Sequence, residues 1–70
     1  MAKNWVLVAA DDGRIGPGST VRASSFETYD EAVAEMAWHI NENGGGEYNE
    51  DFGNGYSEDP FVAYEILRIQ

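Results

Sequence analysis

An unbroken apolar segment, Trp5 to Ala10, lies near the start of the chain. Trp5, Leu7 and Ala9 alternate with Val6, Val8 and Ala10, so a strand over residues 4–10 is apolar on both faces and belongs in the interior of a sheet. Asp11-Asp12-Gly13 and Gly16-Pro17-Gly18 supply turn chemistry. Alternation resumes over residues 19–24, where Val21 and Ala23 oppose Thr20, Arg22 and Ser24, and this predicts an antiparallel return strand at the sheet edge.

Thr28 and Glu31 have the spacing of a capping box, in which hydroxyl and carboxylate satisfy each other's unpaired backbone N–H groups. Behind it Tyr29, Ala32, Val33, Met36, Ala37 and Ile40 form the stripe of a helix lying on a sheet. The spacing predicts a helix over residues 29–43, ended by Gly44-Gly45-Gly46, whose glycines tolerate a left-handed cap. Residues 44–60 show no period. They are rich in Gly, Asn and acid but carry Tyr48, Phe52 and Tyr56, so they read as an acidic aromatic loop that is packed or functional, with Asn54-Gly55 as a tight turn inside it. Residues 61–69 close the chain as a strand, Val62, Tyr64 and Ile66 on one face and Ala63, Leu67 and Ile69 on the other.

These elements predict one α+β domain spanning residues 1–70, a three-stranded antiparallel sheet of order 2-1-3 with a helix on one face (ββαβ). The opposite face then has three fates: the 44–60 loop folds over it, it stays exposed as an interaction surface, or a second copy covers it as a homodimer.

Composition narrows the class. At 70 residues there is room for one core, because folding at this size buries only about 60% of the surface of the unfolded chain. Hydrophobic residues at 43% are ample for that core and argue against disorder. The absence of cysteine excludes disulfides and thiolate metal sites and fits a reducing cytosol. The run Trp5–Ala10 falls far short of the roughly 20 residues of a membrane helix. With only Lys3 before it and Asp11-Asp12 after it, it lacks the layout of a signal peptide. A cytoplasmic protein without a membrane partner is the expectation.

Charge changes the picture more. Lys3, Arg14, Arg22 and Arg68 sit near the chain ends, and no Lys or Arg occurs between Ala23 and Leu67. That interval holds Glu27, Asp30, Glu31, Glu35, Glu42, Glu47, Glu50, Asp51, Glu58, Asp59 and Glu65, within a formal net charge of -9. A one-signed segment repels itself unless a partner neutralises it, although the same charge also serves solubility. On a helical wheel Trp38 falls almost opposite the Met36/Ile40 stripe, beside Glu31, Glu35 and Glu42. Tryptophan is enriched at binding hot spots, and an ordered carboxylate row can imitate phosphates to a basic groove. The candidate partner-binding residues are therefore Asp30, Glu31, Glu35, Trp38, Glu42, Glu47, Glu50, Asp51, Glu58 and Asp59. The plainer alternatives are a solvated helix face, and a loop whose Tyr48, Phe52 and Tyr56 fold back over Trp38.

Other chemistry is sparse. Glu35, His39 and Glu42 share a helix face at a spacing open to a divalent metal, but a Glu35–His39 ion pair explains it equally. Residues 48–55 fail the calcium-loop pattern in every register. One histidine, no cysteine and no phosphate-cradling glycine motif argue against an enzyme and against a cofactor. Direct nucleic-acid binding is opposed by charge repulsion.

In size, in the one-signed stretch from Glu27 to Glu65 and in the short ββαβ plan, the chain resembles the small acidic inhibitors encoded by bacteriophages, the anti-CRISPR and anti-restriction proteins, several of which mimic DNA. Those proteins share no common motif, so no residue is carried over by position. The resemblance implies an inhibitor in the host cytoplasm whose acidic surface occupies the Lys/Arg-rich nucleic-acid-binding groove of a partner protein.

Overall fold

The computed structural model describes residues 3–11 and 21–69. In chain order it contains β1 (Trp5–Ala10), β2 (Val21–Phe26), α1 (Tyr29–Glu42), β3 (Gly46–Asn49), β4 (Asn54–Glu58) and β5 (Phe61–Arg68). The strands form one antiparallel sheet of order β2-β1-β5-β4-β3. The domain is α+β, but the expected three-stranded ββαβ sheet is wrong: the sheet has five strands, with β5 at its centre. Residues 19 and 20 of the expected return strand, Arg14 and the glycine turn signals between Asp12 and Gly18 lie outside the described residues.

The two extra strands come from the segment read as a loop. β3 and β4 form a hairpin with Glu47 opposite Tyr56 and Tyr48 opposite Gly55. Asn54-Gly55 is therefore the start of a strand and not a turn. The reversal occurs at Glu50–Gly53, where Asn49 Oδ1 accepts the N–H groups of Asp51 (2.8 Å) and Phe52 (3.1 Å) and the Asn49 carbonyl accepts that of Gly53 (2.8 Å). Gly55 is there because Tyr48 crosses it: a Cβ at Gly55 would stand 2.6 Å from Tyr48 Cβ. Glycine thus marks a close approach inside a strand here, which is why strand periodicity is invisible in the sequence.

The core lies between α1 and one face of the sheet. Leu7, Ala9, Val62, Tyr64 and Ile66 meet Ala32, Met36 and Ile40 of the helix, with Trp5, Phe26, Tyr29 and Val33 at its margin. The Thr28 cap forms as its spacing predicts. Thr28 Oγ1 accepts the Glu31 N–H at 3.1 Å, and Glu31 Oε1 accepts the Thr28 N–H at 3.0 Å. At the other end the Gly45 N–H returns 2.9 Å to the Ile40 carbonyl while Gly44 takes φ 86°, a Schellman closure. Replacing Thr28 with alanine is expected to cost about 1 kcal/mol and to lower the melting temperature by roughly 4–8 °C, read by circular dichroism. A Thr28→Ser variant, which keeps the acceptor, should melt near the parent.

The register also decides what β2 shows the helix. Phe26, Ser24 and Arg22 lie opposite Trp5, Leu7 and Ala9 and share the helix-side face, whereas Val21 and Ala23 face away. β2 is exposed along its length except at Phe26, because α1 sits over the middle of the sheet. The far face carries Val6, Val8, Val21, Ala63, Phe61 and Leu67 with Glu47, Glu58 and Glu65 at positions set by the ladder. The 44–60 segment does not fold over that face; it widens the sheet. Among the described residues, no helix is long and apolar enough to cross a membrane.

Candidate binding groove between the helix and the edge strand

At about 100° per residue, Trp38, Glu31, Glu42 and Glu35 fall within a sector of about 60° on the flank of α1 away from the core. Trp38 is 57% exposed. Its near ring neighbour is His39, edge-on with centroids 5.0 Å apart. Tyr48 and Phe52 are exposed elsewhere on the hairpin, and Tyr56 packs against Phe61 on the far face of the sheet, rings tilted by 46° with centroids 5.8 Å apart. The aromatics of the hairpin thus do not close over Trp38.

Between this flank and β2 runs an open groove of about 540 Å³ lined by Phe26, Glu31, Ala34, Glu35 and Trp38. Two of its carboxylates are held in place by the chain itself. Glu31 Oε1 serves the cap, bonding both the Thr28 N–H and, at 3.1 Å, the Thr28 hydroxyl. Glu35 Oε2 lies 3.0 Å from His39 Nε2, and the His39 ring stacks nearly parallel to buried Tyr64 at 6.3 Å. Tyr64 Oη in turn accepts a hydrogen bond from Asn43 Nδ2 at 3.0 Å. Further along the seam a smaller cavity of about 40 Å³ is lined by Leu7, Ala9, Arg22, Ser24, His39 and Tyr64. Arg22 points its guanidinium at Asp11 Oδ1, with Nε at 3.1 Å and Nη2 at 2.8 Å.

The remaining sequence candidates separate into other places. Asp30 is exposed in the first helical turn, on the flank facing away from Glu35. Glu50 and Asp51 form the hairpin tip, which is tied to the helix start by the Tyr29 hydroxyl donating to the Glu50 carbonyl. Asp59 sits in the β4–β5 turn against the helix C-terminus, its N–H donating 2.8 Å to the Asn43 carbonyl. Glu47 and Glu58 lie on the far sheet face on either side of Tyr56. Charge from Glu47, reinforced by partial burial and by Glu58, raises the Tyr56 pKa above its usual value of 10.0. The acids therefore do not make one site; Glu31, Glu35 and Glu42 share Trp38's flank and the others are distributed around it.

Sequence reasoning missed Phe26. It extends β2 two residues beyond the expected end and has the parity of Arg22 and Ser24, the polar side of that alternation, so periodicity alone offers no reason to set it against the helix. Glu35 and His39 pair directly, and among the described residues no three His, Cys, Asp or Glu side chains are arranged to hold a metal ion. Compared with protein-family models, with curated proteins and with solved structures, the chain matches none. The groove has therefore to be interpreted from its own chemistry.

Proposed function

We propose that this chain is a non-enzymatic acidic binding protein that sets the outer flank of α1 against a Lys/Arg-rich, nucleic-acid-binding surface of a partner protein and excludes the nucleic acid by competition, as a DNA mimic does. The observation that carries this reading is Trp38, 57% exposed in the midst of Glu31, Glu35 and Glu42 on a rigid helix. Indole surface left in water gains most when a partner desolvates it, and carboxylates around it steer a basic partner and speed its arrival. The helix fixes their spacing, with a rise of about 6 Å from Glu31 to Glu35 and about 10 Å from Glu35 to Glu42. Acids on the hairpin tip and the β4–β5 turn extend the attraction beyond the contact.

Partner capture from bacterial lysate at two salt concentrations, followed by affinity measurement, tests this. Replacing Glu31, Glu35 and Glu42 together with glutamine is expected to weaken binding about tenfold or more at low salt and far less at high salt, because screening has then removed most of the charge effect. Glutamine at position 31 still serves a capping box, so the fold is retained. Affinity indifferent both to salt and to these substitutions would exclude the reading. A second reading has its own observation: Val21, Phe61 and Leu67 are 49%, 52% and 42% exposed on the far sheet face. An adaptor using that face would bind nearly independently of salt and would be disabled by Phe61→Ser instead.

A further inference from the structure

We propose that the groove between β2 and α1 is a seat for a partner's arginine, whose guanidinium enters between Phe26 and Trp38 and donates to Glu31 and Glu35. This deepens the proposed function and rests on it. Phe26, Ala34 and Trp38 give the groove apolar and aromatic walls, and Glu31 and Glu35 give it two negative groups with no cation lining it. An aromatic face next to carboxylates is the environment a guanidinium uses best, since it stacks through its plane and donates through its edge.

The two carboxylates are also set for the task. Glu31 is anchored through Oε1 by the Thr28 backbone and hydroxyl, and Glu35 through Oε2 by His39. Among the described residues no hydrogen bond engages the second oxygen of either group, so each keeps an acceptor for an incoming donor. Anchoring removes much of the side-chain entropy that an exposed ion pair otherwise loses on forming. Arg22, on the same strand as Phe26, is directed to Asp11 instead. The fold already makes one contact of the proposed kind, with the Arg68 guanidinium 5.3 Å from the centre of the Trp5 ring.

Arginine is favoured over lysine for two reasons. The groove is open, so a strongly hydrated ammonium has little cause to leave water, whereas the weakly hydrated guanidinium loses less on stacking. Two separate acceptors also suit a planar fork of five donors better than a point charge.

The test is a titration of the protein with hexa-arginine and with hexalysine at equal low salt, followed by NMR at the indole N–H signals of Trp38 and Trp5. Hexa-arginine is expected to bind about three- to tenfold more tightly and to shift the Trp38 indole. Trp38→Ala should bring the two peptides to equal affinity, and Trp38→Phe should restore part of the difference. Trp38 lies on the outer flank of α1, so both variants fold. Equal binding of the two peptides, an unmoved Trp38 signal, or an arginine preference that survives Trp38→Ala would overturn the seat while leaving the acidic binding surface standing. Failure of both peptides to bind at low salt would overturn the seat and the proposed function together.

Discussion

Met36→Ala is expected to lower the melting temperature by at least about 10 °C and to reduce the urea midpoint without changing the slope of the transition. Met36 is 0% exposed and stands in the middle of the helix stripe, between Ala32 and Ile40, in one buried cluster with Leu7, Val62 and Tyr64 of the sheet. Truncating a fully buried methionine costs about 2–5 kcal/mol, the transfer free energy of the lost atoms plus that of the cavity left behind. A domain of this size has only about 4–10 kcal/mol in total, and each kcal/mol is worth roughly 4–8 °C. Met36→Leu conserves volume and should cost less than about 1.5 kcal/mol. An alanine variant melting with the parent would mean that α1 does not pack on the sheet through this residue.

The second large effect is expected at Gly53. It is buried in the hairpin reversal, next to the start of β4, with φ +69°, and a Cβ there would stand 2.9 Å from Tyr29 Oη and 3.2 Å from Ile66 Cβ. Gly53→Ala therefore combines left-handed strain of about 1–2 kcal/mol with overpacking of about 1–3 kcal/mol. Gly45 is the control, because it has φ +82° with nothing within 4 Å of a built Cβ, so its alanine variant bears the strain alone. Hydrogen exchange should locate the difference. The Ile66 N–H, which donates 2.6 Å to the Gly53 carbonyl, should exchange faster in Gly53→Ala than in Gly45→Ala. Equal stability and equal exchange in the two variants would mean that the hairpin is not docked beneath Tyr29.

These two positions differ in how far they could be read from the chain. Met36 was legible because a helix repeats every 3.6 residues and its apolar stripe is local information. Thr28 and Glu31 were legible as a cap for the same reason, since both partners lie within one turn. Gly53 and Gly55 were not. Glycine signals a turn, but the turn lies at Gly53 and not at Gly55, and what each tolerates is set by neighbours the local pattern does not show: Tyr29 and Ile66 around Gly53, and Tyr48 across the ladder from Gly55. The two hairpin strands are short, exposed along β3 and without alternation, so no periodic signal distinguishes them from a loop.

The candidate site divides the same way. Trp38 beside Glu31, Glu35 and Glu42 follows from helix geometry alone, and so does the Glu35–His39 pair. Phe26 as the opposite wall does not, because it depends on where α1 crosses the sheet. Nor does the fate of the remaining acids, several of which are carried by the hairpin to the tip or to the far sheet face.

By itself, then, the sequence determined the helix and its cap, the buried stripe, the apolar first and last strands and the one-signed charge of everything between Ala23 and Leu67. Each of these is set by residues close together in the chain, through backbone hydrogen bonding and side-chain period. Tertiary structure decided the five-stranded order, the hairpin docked under Tyr29 and the groove between Phe26 and Trp38. Those depend on contacts across the fold, where one residue's role is defined by the space another leaves open, and no local period encodes that.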